Sequence, residues 1–188
     1  MALELIQPRI NFSTEFLQFM EEFQTYGENR FNHELALAKI NFGEYVKELI
    51  NAASGIDLAP GYVPQTTFWT LLDSRTIIGT IRIRHYPTPH LKFEGGHIGY
   101  NIRPSFRRRG LGTAQLALGL EKAKNLGLAG VLITCDTDNI GSAKIIMKNG
   151  GEFINGVISP TTQKTISRYW IAFVENNGVR APLNATLR

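Results

Sequence analysis

HIGYNIRPSFRRRGLG, residues 97–112, is the stretch from which the rest of the chain can be read. It opens with residues of strand character and breaks at Pro104. It then gathers arginines at 107, 108 and 109 and passes through Gly110 and Gly112 directly into the helical pattern TAQLALGLEKAKNLG. Strand, basic turn, glycines and helix start together describe an anion site. Glycine lets a backbone approach a ligand without Cβ obstruction. The helix that follows turns unpaired N–H groups and its positive dipole end back at the turn. A phosphate or diphosphate is the guest such a site takes, and Asn139, Ser142 and the pair Gly150-Gly151 are read as lying around it.

The 188 residues fit one domain, 1–188, with a sizeable single core. The longest apolar runs are a few residues, far short of the ~20 that cross a bilayer. The start MALELIQPRI lacks the cationic head and apolar centre of a signal peptide, so the expectation is a cytoplasmic protein without membrane contact. The single cysteine, Cys135, excludes an intramolecular disulfide and a cysteine-based metal cluster. Within VLITCD it reads as a buried strand residue, and no metal is expected. The formal charge of +4 is concentrated at Arg103, Arg107, Arg108 and Arg109. That suits a small polyanion better than a nucleic-acid face, the competing reading being a solvated basic loop.

Outward from that stretch, Leu3 to Arg9 alternates as a first strand. Ser13 reads as the cap of a helix carrying Phe16, Leu17, Met20 and Phe23 and closed by Gly27. A second helix runs from Phe42 to Ala53, with irregular chain between the two and a loop through Pro60, Gly61 and Pro64 after them. Thr66 to Leu72 and Thr76 to Arg84 form a hairpin turning at Asp73-Ser74-Arg75. His85 to Gly96 reads as a loop. The helix from Thr113 sends Leu116, Leu120, Ala123 and Leu126 to the core and stops at Gly127. Val131 to Cys135 is a strand buried inside a sheet. A short helix, Ala143 to Asn149, ends at Gly150-Gly151, and Glu152 to Ile158 with Ser167 to Val174 make the last strands. The tail from Glu175 has no periodicity and is expected to fray. The fold class is α/β (α+β), a mixed, mostly antiparallel twisted sheet of about six to seven strands flanked by helices.

Two nucleotide motifs fail. No GxxxxGK precedes a Ser or Thr, and Gly110-Leu111-Gly112 lacks the third glycine of GxGxxG, position 115 being Gln. What remains, Arg107-x-x-Gly110-x-Gly112, closely resembles the acyl-CoA signature of the GNAT superfamily of N-acetyltransferases. Ile102 through Thr113 is similar to that family's fourth strand and diphosphate loop. Asp138-Asn139-Ile140-Gly141-Ser142-Ala143 followed by Lys148-Asn149-Gly150-Gly151 resembles its second cofactor segment, so the likeness covers about Ile98 to Phe153, near a bacterial-type branch.

The resemblance implies acetyl-CoA as cosubstrate and a cofactor core over about 97–153, with the fourth and fifth strands splayed apart. Acceptor-side elements would occupy about 10–64 and 85–96. The backbone of Arg107, Arg108, Arg109, Gly110, Leu111, Gly112 and Thr113 would hold the diphosphate. The pantetheine arm would follow Tyr100, Asn101 and Ile102, faced by Asn139 and Ser142. It also implies direct attack of a neutral amine on the thioester, a backbone N–H near Tyr100 for the oxyanion, and commonly a homodimer. The tyrosine many members carry in the second segment is Ile146 here, and the glutamate some carry on the fifth strand is Thr134. For the base, Glu94 and His97 are the candidates; Ser142 or Tyr169 would assist the leaving thiolate. Tyr169 and Trp170 are placed near an acceptor pocket, and Phe68, Trp69 and Phe153 in the core. The acceptor stays open among a small amine, an amino acid, an antibiotic and a protein N terminus. A CoA-binding regulatory module without turnover is the alternative, and a nucleic-acid binder the third reading.

Overall fold

The structure is a computed structural model that describes residues 2–173. Among these residues are seven strands and six α-helices. β1 (Leu3–Ile6) leads to α1 (Ser13–Thr25), α2 (Asn32–Ile40) and α3 (Phe42–Ala53). β2 (Gln65–Leu72), β3 (Thr76–Arg84), α4 (Pro89–Phe93) and β4 (Ile98–Ile102) follow. The chain continues through α5 (Leu111–Asn125), β5 (Gly130–Asp136), α6 (Ile140–Lys148), β6 (Glu152–Ile158) and β7 (Thr165–Ala172). Two sheets result, in the orders β1-β2-β3-β4 and β5-β7-β6, and every ladder within them is antiparallel.

β2 explains the layering. Successive side chains of a strand point to opposite faces, and both faces of β2 are covered. Trp69 enters an aromatic cluster with Phe16, Phe19 and Phe23 of α1, its ring 4.7 Å from that of Phe16. Phe68 joins Ile81, Leu116, Ile133 and Tyr169 on the other side. A strand buried twice has no reason to alternate in polarity, which accounts for its sequence TTFWTLL.

α5 packs against the first sheet through a close approach. A Cβ at Gly119 would lie 2.2 Å from Ile81 Cδ1. Gln115, wholly buried, donates from Nε2 to Thr70 Oγ1 at 2.7 Å and to the carbonyls of Thr80 and Asn101 at 3.2 Å. One amide thus ties the helix to β2, β3 and β4.

Several expectations change. α2 lies where irregular chain was expected, because it buries only Leu35 and Ala38 and leaves a weak periodic signal. α4 breaks the loop 85–96, its first turn capped by the Thr88 hydroxyl at 3.2 Å from the Leu91 N–H. Ser13 is the first helical residue of α1 and caps nothing, since Ile10–Phe12 already form a 3-10 turn ahead of it. β1 stops at Ile6, and Leu126 is exposed beyond the end of α5. Phe153 is not core: β6 is an edge strand, and that ring stays 59 % exposed. The last residue of the expected strand to Val174 and the tail from Glu175 lie outside the described residues.

Candidate functional site

β4 and β5 touch at one point and then part. The His97 N–H donates to Leu132 O at 2.7 Å, and the Leu132 N–H donates to His97 Nδ1 at 2.9 Å. Gly96 permits this crossing: its φ is +59°, and a Cβ there would lie 2.4 Å from Leu132 O. Arg84 Nη1 holds the carbonyls of Gly95 and Gly96, each at 3.0 Å. Beyond the contact no ladder joins the two strands. Between their ends opens a cleft of about 740 Å³, lined on one side by Tyr100, Asn101, Ile102, Arg107, Arg108 and Gly112 and on the other by Asp138 to Ser142. The expected splay of the fourth and fifth strands is therefore present.

At one end of the cleft stands the glycine turn. Arg108 and Gly110 both take left-handed backbone, φ +62° and +77°. Gly110 O accepts the N–H groups of Thr113 and Ala114 at 3.1 and 3.2 Å. The N–H groups of residues 108–112 find no acceptor among the described residues. A row of unpaired N–H groups at a helix start favours an anion. Gly112 brings the helix start close to α6: a Cβ there would lie 2.7 Å from the end of the Ile145 side chain, which would have to shift. Arg109, Gly110, Leu111 and Thr113 belong to the same turn but not to the cleft wall, and Arg109 stacks over Phe106 at 5.3 Å.

Arg107 does not present its side chain to the cleft as a free cation. Its Nε donates to Ile102 O at 2.9 Å, while Nη1 and Nη2 grip Glu28 at 2.5 and 3.1 Å. The Arg107 hydrogen bond, above all, holds the Glu28 carboxyl below the usual carboxylate range. Nearby, Glu22 accepts the Ser105 N–H at 2.7 Å and Arg103 Nε at 2.5 Å. Burial pushes Glu22 up, but these bonds outweigh it and leave its pKa lowered. Glu28, Asn29 and Arg30 thereby form part of the cleft wall. No sequence signal announces them, because Glu28 is 79 residues from Arg107.

Asn101 lines the cleft, but its side chain is tied to Thr80. Its Oδ1 accepts the Thr80 N–H at 3.1 Å, its Nδ2 donates to Thr80 Oγ1 at 2.8 Å, and its carbonyl accepts from Gln115. Tyr100 instead reaches across the gap. Its hydroxyl lies 2.8 Å from Ser142 Oγ, and burial pushes its pKa up to about 12. Ser142 is held in turn by α6, where Asn139 Oδ1 accepts the Ser142 N–H at 3.0 Å. Burial raises the pKa of the Cys135 thiol, and Ser142 works against that rise. Gly150 and Gly151 close the far end of α6 away from the cleft: Gly150 has φ +83°, and a Cβ at Gly151 would meet Ile146 at 2.4 Å.

The base candidates separate. His97 is 1 % exposed, and burial brings its pKa down to about 4. With Nδ1 accepting from Leu132, the ring is a neutral tie between β4 and β5, and the expectation of a base at His97 is corrected to that role. Tyr169 sits in the core, its ring 5.6 Å from that of Phe153, and does not line the cleft. Glu94 follows α4, two residues before the Gly96 crossing; like Tyr169 it is not among the cleft-lining residues, and its Oε2 is buried without a hydrogen-bond partner among the described residues. Among the described residues no helix is long and apolar enough to cross a membrane, and no group of three or more His, Cys, Asp and Glu could hold a metal ion.

A family model described as an acetyltransferase (GNAT) domain matches residues 15–152. No curated protein matches the chain. Among solved structures, the ribosomal L7/L12 alpha-N-protein acetyltransferase RimL, in a disulfide-linked complex with coenzyme A, shares 14 % identity at TM-score 0.69, over 91 % of this chain and 94 % of that one. The microcin C7 self-immunity acetyltransferase MccE, bound to acetyl-CoA and AMP, shares 14 % at TM-score 0.62, over 91 % and 92 %. A Vibrio cholerae spermidine N-acetyltransferase SpeG chimera shares 11 % at TM-score 0.61, over 92 % and 96 %. Identities this low speak for the fold, while the family match reaches from α1 to the start of β6; on that extent the chain belongs to the GNAT acetyltransferase family.

Proposed function

We propose that this chain moves the acetyl group of acetyl-CoA onto a primary amine by direct attack within a ternary complex. The observation that carries the proposal is the cleft between β4 and β5, with unpaired N–H groups at one end and the Tyr100–Ser142 hydroxyl pair on its walls. In this reading the turn 107–113 takes the diphosphate through its backbone, with Arg108 supplying charge. The arm follows Tyr100 to Ile102 toward Ser142. One solved relative joins CoA to a cysteine of its own, and the neighbourhood of Cys135 and Ser142 supports ending the thiol there.

Glu94 accepts the proton of the incoming ammonium, directly or through a water, and a backbone N–H near Tyr100 holds the oxyanion. Ser142 donates to the departing sulfur. The helical position four residues on from Ser142 carries the buried Ile146, so that same face of α6 offers its hydroxyl one turn earlier. Tyr100, protonated at any working pH, donates to Ser142 and leaves the serine proton free for the sulfur.

The acceptor is an amine of open identity, since the relatives named above act on a ribosomal protein and on spermidine. The test is to offer acetyl-CoA with spermidine, amino acids and peptides bearing a free N terminus, and to read free thiol. Release that depends on an amine supports the proposal. Binding of acetyl-CoA with no release for any amine reduces the chain to a CoA-binding module.

A further inference from the structure

The segment joining α1 to α2 forms part of the cleft wall. Glu28, Asn29 and Arg30 line the cleft opposite the segment 138–142. Glu28 is the hub: it accepts two bonds from Arg107 and a longer one, 3.3 Å, from Arg30 Nη2. The two arginines then differ in freedom. Every nitrogen of the Arg107 guanidinium donates to a protein oxygen, in a fork–fork pair with Glu28 and a bond to Ile102 O. Arg30 gives one nitrogen to a carboxylate already satisfied by Arg107. Its side chain is 61 % exposed, and the guanidinium carbon lies over the Phe31 ring, 4.7 Å from its centroid.

Charge balance in the cleft points the same way. Arg107 and Glu28 cancel, which leaves Arg30 and Arg108 against Asp138 among the cleft-lining side chains. Arg108 is fixed at the turn by its left-handed backbone. Arg30 stands beyond the Arg107–Glu28 pair, outside the glycine motif, with its guanidinium over the Phe31 ring and no acceptor for Nε or Nη1 among the described residues. A planar cation of that kind suits a phosphate.

We infer that Arg30 is a phosphate-binding residue for the nucleotide end of CoA, contributed by the α1–α2 connection and held against the cleft by Glu28. The inference rests on the acetyl-CoA reading above. CoA offers two phosphate chemistries, the diphosphate and the 3′-phosphate, and the experiment separates them.

Calorimetric titration of acetyl-CoA into wild type and Arg30→Ala tests it, with Arg75→Ala as the control. Arg75 lies in the exposed β2–β3 turn and does not line the cleft, so that variant loses the same charge outside it. The expected result is about tenfold weaker binding for Arg30→Ala and an unchanged affinity for Arg75→Ala, with Arg30→Lys recovering part of the loss. Repeating the titrations with acetyl-dephospho-CoA assigns the partner: a loss that disappears marks the 3′-phosphate, and a loss that persists marks the diphosphate. Affinities of Arg30→Ala and wild type within twofold overturn the inference, as does an equal loss in Arg75→Ala. A wild type that binds no acetyl-CoA overturns the cofactor reading itself, a different and recognisable failure.

Discussion

His97 shows how much one neighbour can decide. The sequence offers an imidazole at the start of a strand, with an ordinary pKa of ~6.5 suited to a base. Contact with Leu132 buries it, and its pKa falls to about 4. The unfolded chain takes up a proton near pH 6.5 and the folded chain does not, so stability falls as the pH drops from about 6.5 toward 4, by about 3 kcal/mol in full. Thermal melts across that window should show the decline, and His97→Gln should flatten it; an equal slope in both proteins would return His97 to an accessible, freely titrating position. For the cleft hydroxyls the expected effect is kinetic. Ser142→Ala should cut kcat by about a hundredfold and Tyr100→Phe by about tenfold, each with the affinity for acetyl-CoA within threefold of wild type. Parallel losses in kcat and affinity would make the pair part of binding only. Tyr100 and Ser142 could each be picked from the sequence by motif; their 2.8 Å pairing across 42 residues could not.

Among the elements, the turn after β4 was the most legible, because everything it needs lies within a few residues: a strand end, arginines, glycines and a helix start. Its supports were not legible. Glu22 and Glu28 come from the end of α1 and the connection beyond it, and nothing local marks them as partners of Arg103 and Arg107. α2 and α4 escaped for a related reason, since a helix with two buried residues or a single turn is stabilised by what it packs on. Phe153 was misread because an aromatic on a strand says nothing about whether that strand lies at a sheet edge. The crossing of β4 over β5 carries its own prediction. Gly96→Ala combines a left-handed φ with a Cβ 2.4 Å from Leu132 O, and it should cost at least ~2 kcal/mol in denaturant unfolding. Wild-type stability in that variant would mean that the two strands do not meet there. Gly110 also has a positive φ but open space around its Cβ position, so a substitution there strains the turn without a clash.

Across the whole molecule, two antiparallel sheets meet at His97 and Leu132 and leave an opening on which α5, α6 and the α1–α2 connection converge. The end of α1 with the connection beyond it and the turn after β4 are joined by the Glu22 and Glu28 ion pairs. Both carboxyls have lowered pKa values, so these pairs persist at neutral pH and are lost only as the pH falls through the depressed carboxylate range. The central claim is that this opening takes acetyl-CoA with its diphosphate on the turn 107–113. The most direct test is the melting temperature of wild type and Gly110→Glu with and without acetyl-CoA. At a hundredfold excess over Kd the ligand contributes ~2.7 kcal/mol, a rise of about 5–10 °C for a chain of this size. The account predicts that rise in wild type and none in Gly110→Glu, where a carboxylate stands at the turn; a folded wild type that shows no rise, or a variant that rises equally, would contradict it.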